Sequence, residues 1–179
     1  MGRRTGSRRW EWHRLSARWA DRIVHHAGIR AGDLVLDVGA GEGALTRPLV
    51  QAGTKVVAFE LHRGRASELE RRFATLGVKV VRADVADLRL PRRPFKVVAN
   101  PPFKLEGALL KRLLAPGSRL VQADLVLPRH VARRWVDGLV PGANRHRLHH
   151  RFEIVATLPK HAFTPPAYTD PVVLRITRH

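Results

Sequence analysis

Apolar runs that fit strands alternate with stretches of helical period along this chain, and this alternation narrows its fold more than any other feature. The runs that predict strands are 34–38, 55–59, 78–81, 96–99, 120–127, 152–158 and 172–176. The stretches that predict helices are 16–27, 44–51, 65–76, 106–114 and 130–139. Repeated strand–helix units build a parallel, doubly wound sheet with right-handed crossovers. Since only a proline-rich segment separates the last two strands, we expect them to form an antiparallel hairpin at one edge.

The first of these strands runs into a glycine-rich turn, Gly39-Ala40-Gly41-Glu42-Gly43. Glycines let the backbone adopt positive φ and approach a ligand closely, and the helix that follows would offer unpaired N–H groups. Glu60 follows the second strand, where a carboxylate can accept both ribose hydroxyls of a nucleoside. By itself the turn also satisfies the NAD fingerprint, because Gly39, Gly41 and Ala44 match G-x-G-x-x-A.

The aspartate beside the glycines favours S-adenosylmethionine over NAD. Asp37 lies inside the strand beside the glycines, where an acid suits the charged amino-acid tail of S-adenosylmethionine but would repel a pyrophosphate. Asp84 follows the third strand and is placed to hold the adenine amino group. These positions all fall at the carboxyl ends of strands, where open α/β sheets bind their ligands.

A short motif, Asn100-Pro101-Pro102-Phe103, directly follows the fourth strand. The exocyclic amine of adenine is a weak nucleophile because its lone pair is delocalised into the ring. The side-chain oxygen of Asn100 and the carbonyl oxygen of Pro101 can each accept one N–H bond and so draw the lone pair towards a methyl donor, while the prolines hold both acceptors in place. Phe103 offers a face for a base pulled out of its stack. A turn merely stiffened by prolines is the alternative interpretation.

The charge of the chain indicates a polyanionic partner. There are 33 Lys and Arg against 15 Asp and Glu, a net charge of +18 over 179 residues, and each phosphate that a cation neutralises releases counterions. An arginine-rich composition that follows from a GC-rich genome, or an anionic membrane surface, would also explain the excess. The cations nevertheless cluster in the first 14 residues, around the Asn-Pro-Pro-Phe motif (Arg89, Arg92, Arg93, Lys96, Lys104) and near 145–151, which favours nucleic acid.

In order and spacing, the glycine turn, Glu60, Asp84 and Asn100–Phe103 resemble the motifs of the erythromycin-resistance (Erm) ribosomal RNA methyltransferases, which are relatives of the dimethyladenosine transferases of small-subunit rRNA. The resemblance runs from about Trp12 to the end and includes the proline-rich segment between Leu158 and Asp170. It implies a Rossmann-like class I methyltransferase fold with S-adenosylmethionine as cofactor. It further implies methylation of an adenine N6 in 23S rRNA, which confers resistance to macrolides, lincosamides and streptogramin B.

The resemblance and the charge pattern together predict individual site residues. The residues expected to be catalytic are Asn100, Pro101 and Phe103. Cofactor contacts are expected from Leu15, Asp37, Gly39, Gly41, Gly43, Glu60, Leu61, Asp84, Val85 and Asn100. RNA contacts are expected from Arg8, Arg9, Arg92, Arg93, Lys104, Arg129, Arg133, Arg134, Arg145 and Arg147. Trp12-His13-Arg14-Leu15 stands where the family usually has Gln-Asn-Phe-Leu.

We expect a basic arm over residues 1–14 and a methyltransferase domain over 15–179. The family generally carries a helical C-terminal domain, and this chain resembles its short mycobacterial-type members that lack one, so the basic clusters are expected to grip the RNA. The chain has no cysteine, and its histidines show no metal-ligand spacing, so we expect no metal and solvated or RNA-facing histidines. Without a signal peptide or an apolar run of membrane-spanning length, we expect a cytoplasmic monomer.

Three other functions fit parts of the pattern. Methylation of a protein glutamine amide poses the same electronic problem as adenine, and a different rRNA adenine is an equivalent target. A non-catalytic RNA-binding module could keep the fold for its shape alone. The net charge of +18 favours RNA over a protein substrate, and the retention of Asn100 with the cofactor acids favours an enzyme.

Overall fold

The computed structural model describes residues 13–102 and 104–179. Its strands are β1 (Arg14–Leu15), β2 (Leu34–Val38), β3 (Lys55–Phe59), β4 (Lys79–Val81), β5 (Phe95–Ala99), β6 (Leu120–Pro128), β7 (His150–Thr157), β8 (Phe163–Thr164) and β9 (Pro171–Arg178). Its helices are α1 (Ala17–His26), α2 (Thr46–Gln51), α3 (Arg63–Phe73), α4 (Glu106–Leu113), α5 (Arg129–Val136) and α6 (Ala143–Arg147). Short 3₁₀ turns cover Ala74–Leu76, Val85–Asp87 and Lys160–Ala162. None of the helices in these ranges is long and apolar enough to cross a membrane.

Seven strands form one sheet in the order β4-β3-β2-β5-β6-β9-β7. The strands from β4 to β6 in this order are parallel, with Leu36 of β2 opposite Val57 of β3 and Val97 of β5. β2 and β5 are neighbours although β3 and β4 lie between them in the sequence, so the strand order switches direction there. Open α/β sheets bind ligands at such a switch point, outside the carboxyl ends of the strands.

The two late strands form the antiparallel edge. β7 pairs antiparallel with β9, and β9 pairs antiparallel with β6, so the last strand lies between the other two. Leu174 of β9 is opposite both Leu125 of β6 and Ile154 of β7. The predicted fold, a doubly wound and mostly parallel sheet with an antiparallel edge hairpin, is confirmed.

Successive residues of the central strands supply two separate apolar cores, one on each face of the sheet. Leu36 and Val97 belong to the core that packs against α4 and α5, whereas their neighbours Val35 and Val98 belong to the core that packs against α1 and α2. A strand that is covered on both faces must be apolar at nearly every position. This is why the central strands stand out in the sequence as continuous apolar runs.

The ends of the helices depart from the prediction where glycines intervene. α2 begins at Thr46 rather than at 44, because Gly43 has a φ of 83° and the turn continues through Leu45. α3 covers Arg63–Phe73, and the rest of the predicted helix is a 3₁₀ turn that ends at Gly77. α5 stops at Val136, shortly before Gly138 with a φ of 73°. The five-residue helix α6 was not predicted.

A small second sheet joins the start of the described chain to the segment that precedes β9. Arg14 of β1 pairs with Thr164 of β8, and Leu15 pairs with Phe163. Neither strand was predicted, because a two-residue strand leaves no periodic pattern. His13 and Arg14 are therefore part of the packed fold, so an arm can extend only over the residues before them. Residues 1–12, the rest of the arm expected over residues 1–14, lie outside the described residues.

Candidate active site

The glycine turn after β2 and the Asn-Pro-Pro segment after β5 meet at the switch point of the sheet. A Cβ added to Gly39 would lie 3.1 Å from Cδ of Pro102 and 3.6 Å from Cα of Pro101. Gly39 also has a φ of 75°, a conformation that L side chains rarely adopt. Glycine is required at this position for both reasons, and the close approach keeps the cofactor motif and the catalytic motif in contact.

The backbone N–H groups of the glycine turn are used within the protein. Those of Gly39 and Ala40 donate to the carbonyl of Phe59 at 2.8 and 3.0 Å, and that of Gly41 donates to Oε2 of Glu60 at 2.9 Å. The N–H groups at these three positions are therefore not free to bind a ligand. These bonds instead fasten the turn to the carboxyl end of β3.

Gly43 contributes to packing. A Cβ at this residue would lie 2.7 Å from Cε2 of Phe73 and 2.9 Å from Cδ2 of Leu69, which are buried residues of α3. The N–H of Gly43 donates to the carbonyl of Ala40 at 2.8 Å. The absence of a side chain at Gly43 thus allows α3 to pack closely against the turn.

Three donors hold the buried carboxylate of Glu60. Its Oε2 accepts the Gly41 N–H, while its Oε1 accepts the His62 N–H at 2.8 Å and Nη2 of Arg65 at 3.0 Å. Each carboxylate oxygen has two lone pairs, so Oε2 retains the capacity to accept a ribose hydroxyl. Glu60 is fixed in place at the end of β3, where the sequence predicted a ribose contact.

Asp37 is a buried carboxyl group in the middle of the site. The hydroxyl of Thr46 donates to its Oδ2 at 2.6 Å. Burial raises the pKa of Asp37 to about 7; the Thr46 hydrogen bond opposes this rise, and the charge of Glu60 adds to it. A cation placed beside Asp37 would favour its ionised form, so the position suits a ligand with an ammonium group.

Asn100 is oriented by a backbone carbonyl. Its Nδ2 donates to the carbonyl oxygen of His13 at 3.2 Å. Because a carbonyl oxygen can only accept, the amide must turn its NH₂ towards His13 and its own oxygen away. Asn100 also lines a cavity together with Asp37 and Gly39. The structure therefore frees the amide oxygen as an acceptor, which is what the predicted chemistry requires.

His13 is a site residue that the sequence did not reveal. Its side chain is buried, with Nδ1 at 3.0 Å from the carbonyl oxygen of Pro165. Its ring packs edge-on against Tyr168, at 5.3 Å between ring centroids. The expectation of solvated or RNA-facing histidines is wrong for His13. Its partners lie some 150 residues later in the chain, and the one available signal was its place in the segment that replaces Gln-Asn-Phe-Leu.

Glu106 is a second residue that was missed. It begins α4 and lies on the same face as the buried Leu109 and Leu110, since residues three and four apart share a helix face. Its Oε2 is buried and has no hydrogen-bond partner among the described residues. Burial raises the pKa of Glu106 to about 7. A titratable carboxyl group therefore follows the Asn-Pro-Pro segment closely.

Two narrow cavities lie on either side of Gly39. Between them they bring together the predicted residues Leu15, Asp37, Gly39, Glu60, Leu61, Val85 and Asn100. The first cavity combines polar side chains such as Asp37 and Asn100 with apolar ones such as Leu15 and Leu45, and the second combines the Glu60 carboxylate with apolar walls. Their volumes are about 20 and 70 Å³.

Some predicted site residues do not line these cavities. Gly41 and Gly43 have the bonding and packing roles given above, and Pro101 is buried beside the Gly39 turn. Asp84 accepts the Ala86 N–H on Oδ1 at 2.9 Å and directly precedes Val85. Phe103 lies outside the described residues.

The carboxyl groups and apolar walls of the site fit S-adenosylmethionine. A buried acid stands at one end for the ammonium group, a fixed carboxylate stands in the middle for the ribose, and apolar walls at the other end suit an adenine ring. Within residues 13–102 and 104–179, no three His, Asp or Glu side chains are grouped so that they could hold a metal ion.

Most of the cations predicted to contact RNA fall on two opposite edges of the sheet. Those at the edge of the site are Lys104 and Arg129, which begins the helix after β6, whereas Arg133 and Arg134 lie in the last turn of that helix, at its end remote from β6. Those at the edge where the parallel strands begin are Arg92, Arg93, Arg145 and Arg147. Lys96 is bonded to Asp33 at 2.7 Å and is largely buried, so the expected cluster does not include it. Arg8 and Arg9 lie outside the described residues.

Comparison with protein families identifies the group to which these features belong. The family described as "Ribosomal RNA adenine dimethylase" matches residues 15–179. The chain is a member of the ribosomal RNA adenine dimethylase family. This family and its fold are those of S-adenosylmethionine-dependent methyltransferases, so the predicted fold class and cofactor are confirmed, and the predicted class of enzyme is confirmed at the level of the family.

Individual relatives of this dimethylase-family chain are named for the small ribosomal subunit or bear general names. "Ribosomal RNA small subunit methyltransferase A" of Thermosynechococcus vestitus is 34% identical over 183 residues, which cover 94% of this chain and 67% of the relative. "rRNA adenine N-6-methyltransferase" of Bacillus licheniformis is 32% identical over 162 residues, covering 88% and 56%. The chain thus spans between about half and two thirds of the length of these relatives.

The crystal structure of the 23S rRNA methyltransferase ErmE superposes on the dimethylase-family chain with a TM-score of 0.82. The superposition covers 90% of this chain and 68% of ErmE at 24% identity. At this identity the likeness shows the fold alone. The resemblance to the Erm group is therefore confirmed only at the level of the wider family.

Proposed function

We propose that this protein transfers the methyl group of S-adenosylmethionine to the exocyclic N6 of an adenine in 23S rRNA, and that it thereby confers resistance to macrolides, lincosamides and streptogramin B. The observation that carries the proposal is the orientation of Asn100, whose NH₂ donates to His13 and whose oxygen is left to accept from an amine. The choice of 23S rRNA is supported by the motifs shared with the Erm group.

Three carboxyl groups hold the cofactor in this proposal. Asp37 binds the amino group, Glu60 binds the ribose hydroxyls, and Asp84 binds the adenine amino group through Oδ2, since its Oδ1 accepts the Ala86 N–H. Leu61 and Val85 flank the adenine ring. When bound, S-adenosylmethionine supplies an electrophilic methyl group.

The protein activates the substrate amine by orienting it. The oxygen of Asn100 and the carbonyl of Pro101 each accept one N–H bond, which directs the nitrogen lone pair out of the ring plane. The carbonyl of Pro102 already accepts the Leu105 N–H at 2.8 Å, which leaves that of Pro101 for the substrate. The amine loses its proton after the N–C bond has formed, so no strong base is required. Phe103 stacks on the extruded base.

An adenine of small-subunit rRNA is the second candidate. It is favoured by the 34% identity to a methyltransferase named for the small subunit. A protein glutamine amide would use the same acceptors, but the net charge of +18 favours RNA.

The test is transfer of labelled methyl to purified 23S rRNA, small-subunit rRNA and lysate protein, followed by nucleoside analysis. We expect N6-methylated adenosine in 23S rRNA and a loss of about 10²–10³-fold in rate for Asn100→Ala, the range found when one preorganised polar group is removed from a transition state. Gln51→Ala, an exposed amide at the end of α2, should keep its rate. Label in small-subunit rRNA or in protein alone would contradict the 23S assignment.

A further inference from the structure

A second basic surface lies at the edge of the sheet where the parallel strands begin. A groove of about 420 Å³ opens there between the segment after α4, helix α6 and the end of β9. We call this the amino-edge groove. The side chains that line it include the guanidinium groups of Arg145 and Arg178 and the imidazoles of His146, His149 and His150.

The amino-edge groove and the Asn-Pro-Pro segment lie at opposite edges of the sheet. His150 begins β7 and pairs with Arg178 at the end of the antiparallel β9, whereas Asn100 follows the carboxyl end of β5. The five residues of β5 span about 16 Å at roughly 3.3 Å per residue. A ligand in the groove is therefore too far away to contact the catalytic motif.

The amino-edge groove contains positive charge without compensating acids. No aspartate or glutamate lines it among the described residues, and the sequence has none over 107–123 or 138–152. The pKa of His150 is lowered, chiefly by burial and further by the charges of Arg178, His146 and His149, against a hydrogen bond with the His146 carbonyl that raises it. The permanent charges of Arg145 and Arg178 therefore attract an anion to the space between them.

Hydrogen bonds hold the groove in shape. Nη1 of Arg178 donates to the carbonyl of Ser118 at 2.9 Å, and Nδ1 of His150 lies 3.3 Å from the carbonyl of His146. The N–H of His149 donates to the same carbonyl at 3.1 Å. Arginine forks that are already positioned lose little conformational freedom when they bind a phosphate.

We infer that the amino-edge groove binds the phosphate backbone of rRNA, at a helix other than the one that presents the target adenine. The inference builds on the RNA substrate of the proposed function but not on which adenine is methylated. The RNA would then contact the domain at two places. The amino-edge groove would bind its backbone, and the Asn-Pro-Pro segment at the opposite edge would bind the target base. An acidic protein is the competing ligand.

The test is fluorescence anisotropy with a labelled RNA hairpin, at several KCl concentrations, on the full chain. For Arg145→Gln/Arg178→Gln we expect binding about tenfold weaker, and a slope of log affinity against log salt that is smaller by about 0.9 for each phosphate that the variant no longer neutralises. The affinity for S-adenosylmethionine should not change. Because binding and methyl transfer are measured separately, failure of one leaves the other result standing.

The matched control is Lys55→Gln/Lys79→Gln. These lysines begin β3 and β4 at the same edge of the sheet but in its other half, and the charge removed is equal. Because Arg178→Gln also breaks the bond to Ser118, Arg145→Gln alone must weaken RNA binding by about two- to fivefold. A decrease in affinity no greater than in the control would overturn the inference. So would loss of polyglutamate binding with RNA binding retained.

Discussion

Single residues of the site combine burial with charge. Burial raises the pKa of both Asp37 and Glu106 to about 7, so both carboxyl groups change charge near neutral pH. The unfolded chain ionises them near 4. Between these pH values the folded chain holds protons that the unfolded chain has released, and its free energy of unfolding therefore decreases as the pH rises.

Asp37→Asn should remove the larger part of this pH dependence. The ordinary pKa of 3.8 and the folded value of about 7 correspond to a cost of up to about 4 kcal/mol for ionising Asp37 in the fold, at about 1.4 kcal/mol per pH unit. As the pH rises from 4 to 8, the free energy of unfolding of the variant should increase by up to this amount relative to that of the native chain. Urea unfolding across that pH range measures it.

The same carboxyl group should couple cofactor binding to pH. A cationic amino group beside Asp37 favours the carboxylate, so the affinity for S-adenosylmethionine should rise with pH through about 7 in the native chain and stay level in Asp37→Asn. Asp21→Asn, on the exposed face of α1, serves as the control in both measurements. An equal pH dependence in Asp37→Asn and the native chain would rule out the assigned role.

At the scale of the elements, a buried ion pair joins β6 to β9, and hydrogen bonds beside it attach the end of α1 to both strands. Nε and Nη2 of Arg175 on β9 lie 2.8 and 2.7 Å from Oδ1 of the buried Asp124 on β6. Arg175 also donates to the carbonyl of His26, and Gln122 donates to that of Ala27. The C-terminal end of α1 is thereby fixed to β6 and β9.

Arg175→Met should destabilise the fold by about 3–5 kcal/mol, because it leaves the buried carboxylate of Asp124 without its cation. The paired change Asp124→Leu/Arg175→Met should cost much less, since no buried charge remains. Arg151→Met removes the exposed pair with Glu153 and should cost less than about 1 kcal/mol. Thermal unfolding of the four proteins, native chain included, gives the comparison. Equal losses for Arg175→Met and Arg151→Met would contradict the structural role of the buried pair.

The larger elements could be predicted from sequence because each leaves a local pattern. Strands such as β2 and β3 are apolar runs bounded by glycines, and their predicted limits agree with the structure. The insertion of β9 between β6 and β7 could not be predicted, because sheet order depends on long-range pairing that apolar runs do not encode. For the same reason β1 and β8 were missed.

The candidate site was predictable to the same extent. Residues next to strand ends, such as Asp37, Glu60 and Asn100, were identified from position and chemistry. His13 was not, since it reaches Asn100 across 87 positions and Pro165 across 152. The glycine turn was correctly located, but the sequence does not show that its N–H groups donate to Phe59 and Glu60.

The chain carries a net charge of +18, and described cations such as Arg129 and Arg145 lie at opposite edges of the sheet. Several of its acids are already paired with cations, as in Asp33–Lys96, Glu60–Arg65 and Asp124–Arg175. The positive charge available to a partner is therefore distributed over arginines on the surface. Association with RNA should depend on this charge at long range.

RNA affinity should fall steeply with salt. If about five phosphates are contacted, the association constant should decrease on the order of 10²–10³-fold between about 50 and 200 mM KCl. The affinity for S-adenosylmethionine, whose proposed site is enclosed, should change little. Filter binding of rRNA and calorimetry of the cofactor measure the two. A salt-independent RNA affinity would exclude recognition through phosphates.

The pairing of β1 with β8 has a consequence for the order in which the site is completed during synthesis. A ribosome releases His13 early, but Thr164 and Pro165, which hold that segment, emerge some 150 residues later. The His13 carbonyl that orients Asn100 therefore reaches its final position only after Thr164 and Pro165 have been synthesised. A nascent chain can form the central strands first, and the later pairing of β1 with β8 then completes the site.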